Sequence, residues 1–149
     1  MKGIIFRKSV VIVIAVICIT IFGCIANAFY TDTISFGPNP SKGFASSSHY
    51  CTDTASQYRA QLIAVNYIGM PSGLMPNGAK VNFRLYKPTK IKKASELTSF
   101  TYNDMISGSW HDGGFLTGIV HNSTTKFYMA SGTNASIGAT VSVKWYFYP

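Results

Sequence analysis

The chain has 149 residues and a formal net charge of +8, with thirteen basic and five acidic residues. Once a targeting segment is removed, this length accommodates one domain and leaves no room for two. An excess of positive charge favours anionic partners such as phospholipid head groups or acidic wall polymers, and it favours nucleic acid less.

The amino terminus has the order of a secretory signal peptide. Basic residues precede the apolar run Val10 to Phe22, and Ala26-Asn27-Ala28 forms a small-x-small cleavage pattern. We therefore expect a hydrophobic signal helix over residues 1–28 and a single secreted domain over residues 29–149. Cleavage removes three basic residues and leaves ten against five acids, a net charge of +5.

Two other interpretations of the same segment would tie the protein to a membrane. Ile21-Phe22-Gly23-Cys24 resembles a bacterial lipobox, in which Cys24 would carry lipid. The uncharged run Ser9 to Tyr30 is also long enough to anchor the chain if it is retained. Cleavage after Ala28 leaves Cys51 alone, and we predict a buried thiol there. If Cys24 survives without lipid, a Cys24–Cys51 bridge is the alternative.

Alternation of apolar and polar residues predicts strands through most of the remaining chain. The two clearest are Ile137 to Tyr148 and Ala79 to Tyr86. The other predicted strands are Phe29 to Phe36, Gln57 to Ile68, Glu96 to Tyr102, Phe115 to His121 and Lys126 to Ser131. Segments rich in Gly, Pro, Asn and Ser separate them, including a long loop over 37–48 and a turn region over 103–114.

This pattern predicts an all-β fold without a helix after the signal. We expect a single-domain antiparallel β-sandwich, with a small β-barrel as the alternative.

The densest charge feature lies between residues 80 and 93, where six cations occur with no acid among them. It predicts an anion-binding patch, although a solvated strand with a lysine loop protecting a sheet edge has the same pattern. The terminal strand adds a lysine flanked by tyrosines, and we expect the rings of Tyr86, Tyr146 and Tyr148 to be exposed. The candidate binding residues are Lys80, Arg84, Tyr86, Lys87, Lys90, Lys92, Lys93, Lys144, Tyr146 and Tyr148. If the two clearest strands share a sheet, these charges and rings converge on one surface.

Two short motifs suggest chemistry only weakly. His49, Cys51 and Asp53 are spaced by two, but three residues are one fewer than a structural zinc site needs. His111 adjoins Asp112, yet neighbours on an extended chain point in opposite directions. Catalysis would need His111 to meet a distant nucleophile such as Cys51 or Ser109. We expect no metal, no cofactor and no enzymatic activity.

In size, signal and composition the chain resembles the small basic β-rich proteins that Gram-positive bacteria export, some of which are bacteriocins. The resemblance rests on no specific motif. It implies a secreted interaction module that acts at a bacterial cell envelope. The expected partner is an anionic polymer, a lipid, a sugar or an envelope protein, and contact with the membrane is compatible with this function. A membrane-active toxin and a small secreted hydrolase are the alternatives.

Overall fold

The structure is a computed structural model that describes residues 29–149. The predictions made for residues 1–28, namely the signal helix, its cleavage, the lipidation of Cys24 and its bridge to Cys51, lie outside the described residues. Within residues 29–149, none of the helical segments has the length and apolarity that crossing a membrane requires.

The described chain is mostly β-strand, which confirms the all-β prediction. Its strands are β1 (Tyr30–Phe36), β2 (Lys42–Tyr50), β3 (Gln57–Tyr67), β4 (Val81–Tyr86), β5 (Thr98–Phe100), β6 (Trp110–Gly114), β7 (Lys126–Thr133) and β8 (Ala139–Tyr148). One short helix, α1 (Tyr102–Ser107), lies between β5 and β6.

The strands form two antiparallel four-stranded sheets. Sheet I has the order β1-β8-β3-β6 and sheet II the order β2-β7-β4-β5. Every connection except β4–β5 crosses from one sheet to the other. The fold is therefore β-sandwich-like, with two separate sheets and not one closed sheet.

The core lies between the sheets, and β8 supplies the centre of sheet I. Its residues alternate strictly between buried and half-buried, as the sequence predicts, and Trp145 is fully buried. Sheet II covers it with apolar side chains that are also fully buried, Val81, Phe83, Leu85, Phe127 and Met129.

Across the core, the Tyr58 hydroxyl donates to the Phe83 carbonyl oxygen at 2.9 Å, so a buried polar group also joins the two sheets. Burial raises the pKa of this phenol to about 12.

A β-bulge explains why β3 alternates imperfectly in sequence. The pairing of β3 with β8 shifts between Leu62 and Ala64, so that Ile63 is an extra residue. Leu62 and Val65 are buried, whereas Ile63 is about half exposed. The apolar run Leu62 to Val65 is thus two stretches of ordinary alternation joined by one inserted residue.

Two predicted boundaries are wrong because strand pairing overrides local composition. The serine-rich segment 45–48 belongs to β2, which pairs with β7 and has a register shift between Phe44 and Ser48. Residues 110–114, predicted within a turn region, form the edge strand β6 beside β3. Neither segment alternates in sequence, so only the partner strand defines it.

Two further predictions are wrong in the second half of the chain. Residues 115–121 form no strand, because Phe115 makes only an isolated bridge to Ser95 before the chain turns. The sequence pattern predicts no helix after residue 28, whereas residues Tyr102–Ser107 form α1. Thr101 and Asp104 form a capping box at its start, and Gly108 ends it in the left-handed conformation.

A buried carboxylate connects the sheets at the β1–β2 edge. Asp32 of β1 is only 6% exposed and accepts a 2.7 Å hydrogen bond from Nε1 of Trp145. The same carboxylate oxygen lies 3.5 Å from Nε2 of His49, which belongs to β2 in sheet II. The His49 ring also stacks on Tyr30 with 3.9 Å between centroids. Both sheets therefore contribute partners to one polar contact.

Replacing Asp32 by Ala is expected to lower the free energy of unfolding by about 1–3 kcal/mol, because the buried Trp145 N–H loses its acceptor. Asp32→Asn keeps an acceptor oxygen, so its free energy of unfolding is expected to fall less than that of Asp32→Ala. Urea unfolding measures both, with Thr33→Ala on the exposed side of the same strand as the control. Equal midpoints for Asp32→Ala and the wild type would contradict this role.

Candidate anion-binding groove

The predicted binding residues occupy two separate surfaces. Arg84 and Tyr86 lie on β4 in sheet II, whereas Lys144, Tyr146 and Tyr148 lie on β8 in sheet I. Their polar sides point away from the common core in opposite directions. The convergence that a shared sheet would have produced therefore does not occur.

On the outer side of sheet I, aromatic rings pack against one another. Tyr146 lies edge-to-face with Phe29 at 4.9 Å and with Trp110 at 5.5 Å between centroids. The Lys144 ammonium lies 4.3 Å from the Phe29 ring centroid. The rings thus cover much of one another's surface. Tyr146 is therefore half-buried and not fully exposed to solvent.

The same face contains its own counter-charge. Arg59 on β3 donates to both oxygens of Asp112 on β6, at 2.6 and 2.9 Å, and its guanidinium carbon lies 4.2 Å from the Tyr148 ring centroid. The Arg59 hydrogen bonds lower the pKa of the Asp112 carboxyl. Arginine and carboxylate therefore largely neutralise each other there.

Sheet II presents an open groove on its outer side. The groove has a volume of about 290 Å³. Three cationic side chains line it, contributed by β2, β4 and the β4–β5 connection: Lys42, Arg84 and Lys93. Asn82, Tyr86 and Leu97 also belong to the lining. Of the described residues that line the groove, none is acidic.

Arg84 lacks an internal partner. Its Nε atom is buried and makes no hydrogen bond. Within residues 29–149, the close contacts between a basic and an acidic side chain are His49–Asp32, Arg59–Asp112 and His111–Asp104, so neither Arg84 nor any lysine takes part in one. A buried donor without an acceptor is costly, and an anionic oxygen is the acceptor that a guanidinium binds most strongly.

Lys42 packs over Tyr86 at one side of the groove. Its ammonium lies 4.7 Å from the ring centroid, and Nζ donates to the Tyr86 hydroxyl at 3.3 Å. Phe44 meets the same ring edge-to-face at 5.2 Å. Tyr86 is only 4% exposed, so the expectation of an exposed ring is wrong for this residue. Its hydroxyl positions Lys42 instead.

The predicted lysines of the 87–93 loop divide between the groove and solvent. Lys93 lines the groove, and Lys90 lies 4.4 Å from the Tyr128 ring centroid and 5.4 Å from that of Phe44. Lys92 is exposed and Lys87 is partly exposed.

Lys80 is exposed outside the groove, beside the loop that contains Asn134. The structure thus brings Arg84 and Lys93 together, adds Lys42, and leaves Lys80 apart.

The side chains of the adjacent residues His111 and Asp112 contact different partners. Nε2 of His111 lies 3.2 Å from Asp104, and its ring stacks on Phe100 with 4.3 Å between centroids. Asp112 pairs with Arg59, which confirms that adjacent His111 and Asp112 do not pair. The Ser109 hydroxyl bonds to that of Ser107. No hydrogen bond between His111 and a nucleophile occurs among residues 29–149.

The His49, Cys51 and Asp53 side chains also have separate partners. His49 pairs with Asp32, the Cys51 thiol donates to the Thr52 carbonyl at 3.4 Å, and Asp53 accepts from the Ser123 amide at 2.7 Å. In the part of the chain that the structure describes, no three His, Cys, Asp or Glu side chains are placed to hold a metal ion.

No protein-family model, no curated protein and no solved structure matches this chain.

Cys51 is buried and has no disulfide partner among residues 29–149, and burial raises the pKa of its thiol to about 11. Because the thiolate is the reactive form, only about one thiol in a thousand is ionised at pH 8. We expect iodoacetamide to label the native protein at least about 100-fold more slowly than the urea-unfolded chain. Comparable rates in the two states, followed by mass spectrometry, would contradict this burial.

The lowered pKa of Asp112 makes a small contribution to the pH dependence of stability. The contribution is present above the unfolded pKa of about 4 and is lost as pH falls through the lower folded value. Because the pair is partly exposed, we expect at most about 1 kcal/mol. Urea unfolding from pH 6 to pH 2 should show a shallower acid slope for Asp112→Asn, and an unchanged slope would contradict the pairing.

Proposed function

We propose that this protein is a secreted, non-catalytic module, a single β-sandwich domain over residues 29–149, that binds an anionic component of a bacterial cell envelope through the groove of sheet II. The observation that carries the proposal is the groove itself. It brings Lys42, Arg84 and Lys93 together with no acid in its described lining, and it contains a buried guanidinium nitrogen that makes no hydrogen bond to the protein.

The chemistry of these three side chains suits an oxyanion. The Arg84 guanidinium has a planar array of donors that matches a phosphate or carboxylate, while Lys42 and Lys93 act as point charges beside it. The Asn82 amide, which also lines the groove, accepts from the Ser99 hydroxyl at 2.7 Å and is held in place. A concave, cationic lining also raises the local concentration of anions.

The groove is a better candidate than the outer side of sheet I. On sheet I the guanidinium of Arg59 already has Asp112 as its counter-ion, so an external anion would compete with an internal one. In sheet II no such competition arises, because none of the described lining residues is acidic. Lys144 on sheet I therefore serves as a charge-matched control for the groove lysines.

The test is the affinity for inorganic polyphosphate, a soluble anionic polymer, measured by isothermal titration. The double variant Arg84→Gln, Lys93→Gln should bind at least about tenfold more weakly, since each charged hydrogen bond contributes about 1.5–3 kcal/mol. Arg84→Lys keeps the charge but loses the planar donors. Its affinity for polyphosphate should lie between that of the wild type and that of the double variant.

Lys144→Gln removes one charge from the opposite face and should retain most of the wild-type affinity. Urea midpoints verify that each variant is folded. An equal loss of affinity in Lys144→Gln and Lys93→Gln would indicate binding by net charge alone and would contradict the proposed groove.

A further inference from the structure

An aliphatic side chain stands at the tip of the basic loop. Ile91 is 83% exposed, which is more than any other large hydrophobic residue that the structure describes. It lies directly between Lys90 and Lys92. A single exposed isoleucine is common on protein surfaces, but Ile91 is flanked on both sides by lysines, so the tip combines an apolar side chain with the charges that anionic lipid attracts.

Backbone hydrogen bonds hold this tip in place. The amide of Lys87 donates to the carbonyl of Lys92 at 3.0 Å, and the amide of Lys90 donates to the carbonyl of Lys87 at 2.8 Å. Tyr86 and Lys93 form an antiparallel bridge at the base of the loop. Lys90 has a φ of 57°, in the left-handed region, where the chain reverses. Ile91 is therefore held in its exposed position by a hydrogen-bonded turn.

The charges around Ile91 are of one sign. Four lysines lie within residues 87–93, and no acid occurs from residue 80 to residue 93. Lys93, two residues from Ile91, lines the groove together with Leu97, which is half exposed. The loop and the groove thus form one continuous surface of cations with two aliphatic side chains.

We infer that the groove's partner is an anionic phospholipid bilayer, with Ile91 entering the boundary between head groups and acyl chains. This inference rests on the proposed function and names its ligand source. The lysines of the loop would lie at the level of the lipid phosphates, and the groove would hold one phosphodiester against Arg84. A soluble anionic polymer can pair with the lysines and with Arg84, but it offers no apolar surface for Ile91 to contact.

Attraction between the lysines and anionic lipid supplies most of the binding, so the interaction should weaken steeply with salt. Burial of Ile91 adds a smaller contribution that does not depend on salt. The two parts can be separated, because the groove acts on any phosphate-bearing ligand and Ile91 acts only on a bilayer.

The experiment is cosedimentation with vesicles of one part phosphatidylglycerol to three parts phosphatidylcholine, using the chain over residues 29–149. Ile91→Ser should lower the partition coefficient at least about fivefold, and Ile91→Trp should raise it, because tryptophan favours the membrane interface. Ile68→Ser is the matched control. Ile68 is 72% exposed but lies in the β3–β4 connection, without adjacent lysines, and this variant should partition as the wild type does.

The same proteins are titrated with inorganic polyphosphate. Unchanged polyphosphate affinity in Ile91→Ser, together with weaker vesicle binding, supports the inference. Equal vesicle partitioning of Ile91→Ser and the wild type overturns the inference about Ile91 but not the proposed groove. An equal loss of partitioning in Ile68→Ser and Ile91→Ser has the same consequence. If polyphosphate binds no more weakly to Arg84→Gln, Lys93→Gln, the proposed groove fails, and vesicle partitioning alone then decides the role of Ile91.

Discussion

The packing of two sheets through their apolar faces is the constraint on which the rest of the structure depends. Each strand must direct alternate side chains into the shared core, so its remaining side chains point outward on its own side. β8 lies at the centre of sheet I between β1 and β3, and β4 lies within sheet II. Two strands with similar cationic and aromatic patterns therefore present them on opposite faces.

The distribution of the few acids then distinguishes those faces. Asp32 is buried against Trp145, Asp112 pairs with Arg59 on sheet I, and Asp104 caps α1. Hydrogen bonds from Thr101 lower the pKa of the Asp104 carboxyl and keep it engaged at the helix start. Each of these carboxylates has a structural partner, and none of the described groove lining is acidic. Of the five acids, these three are therefore engaged away from the groove, and its described lining keeps three cations and no carboxylate.

Strict alternation made some elements predictable. It predicted β8 and β4 to within two residues at each end. It failed for β2, whose serines carry no period and whose register shifts at a bulge. The Thr101-x-x-Asp104 capping signature was present for α1, but six residues are too few to show a helical period.

The composition of the groove was only partly accessible from sequence. Arg84 and Lys93 stood out in a run of cations, whereas Lys42 lies 44 residues from Tyr86 and joins it only through the pairing of β2 and β4 with β7. The burial of Tyr86 has the same origin. No local pattern reports which residues a distant strand will bring to one surface.

We propose that anions bind to the outer side of sheet II and not to that of sheet I. The most direct measurement is an amide chemical-shift titration of the ¹⁵N-labelled protein over residues 29–149 with inorganic polyphosphate. We expect the largest shifts at Lys42, Arg84 and Lys93, with small shifts along β8. Dominant shifts at Lys144, Tyr146 and Tyr148, or shifts spread evenly over all lysines, would contradict it.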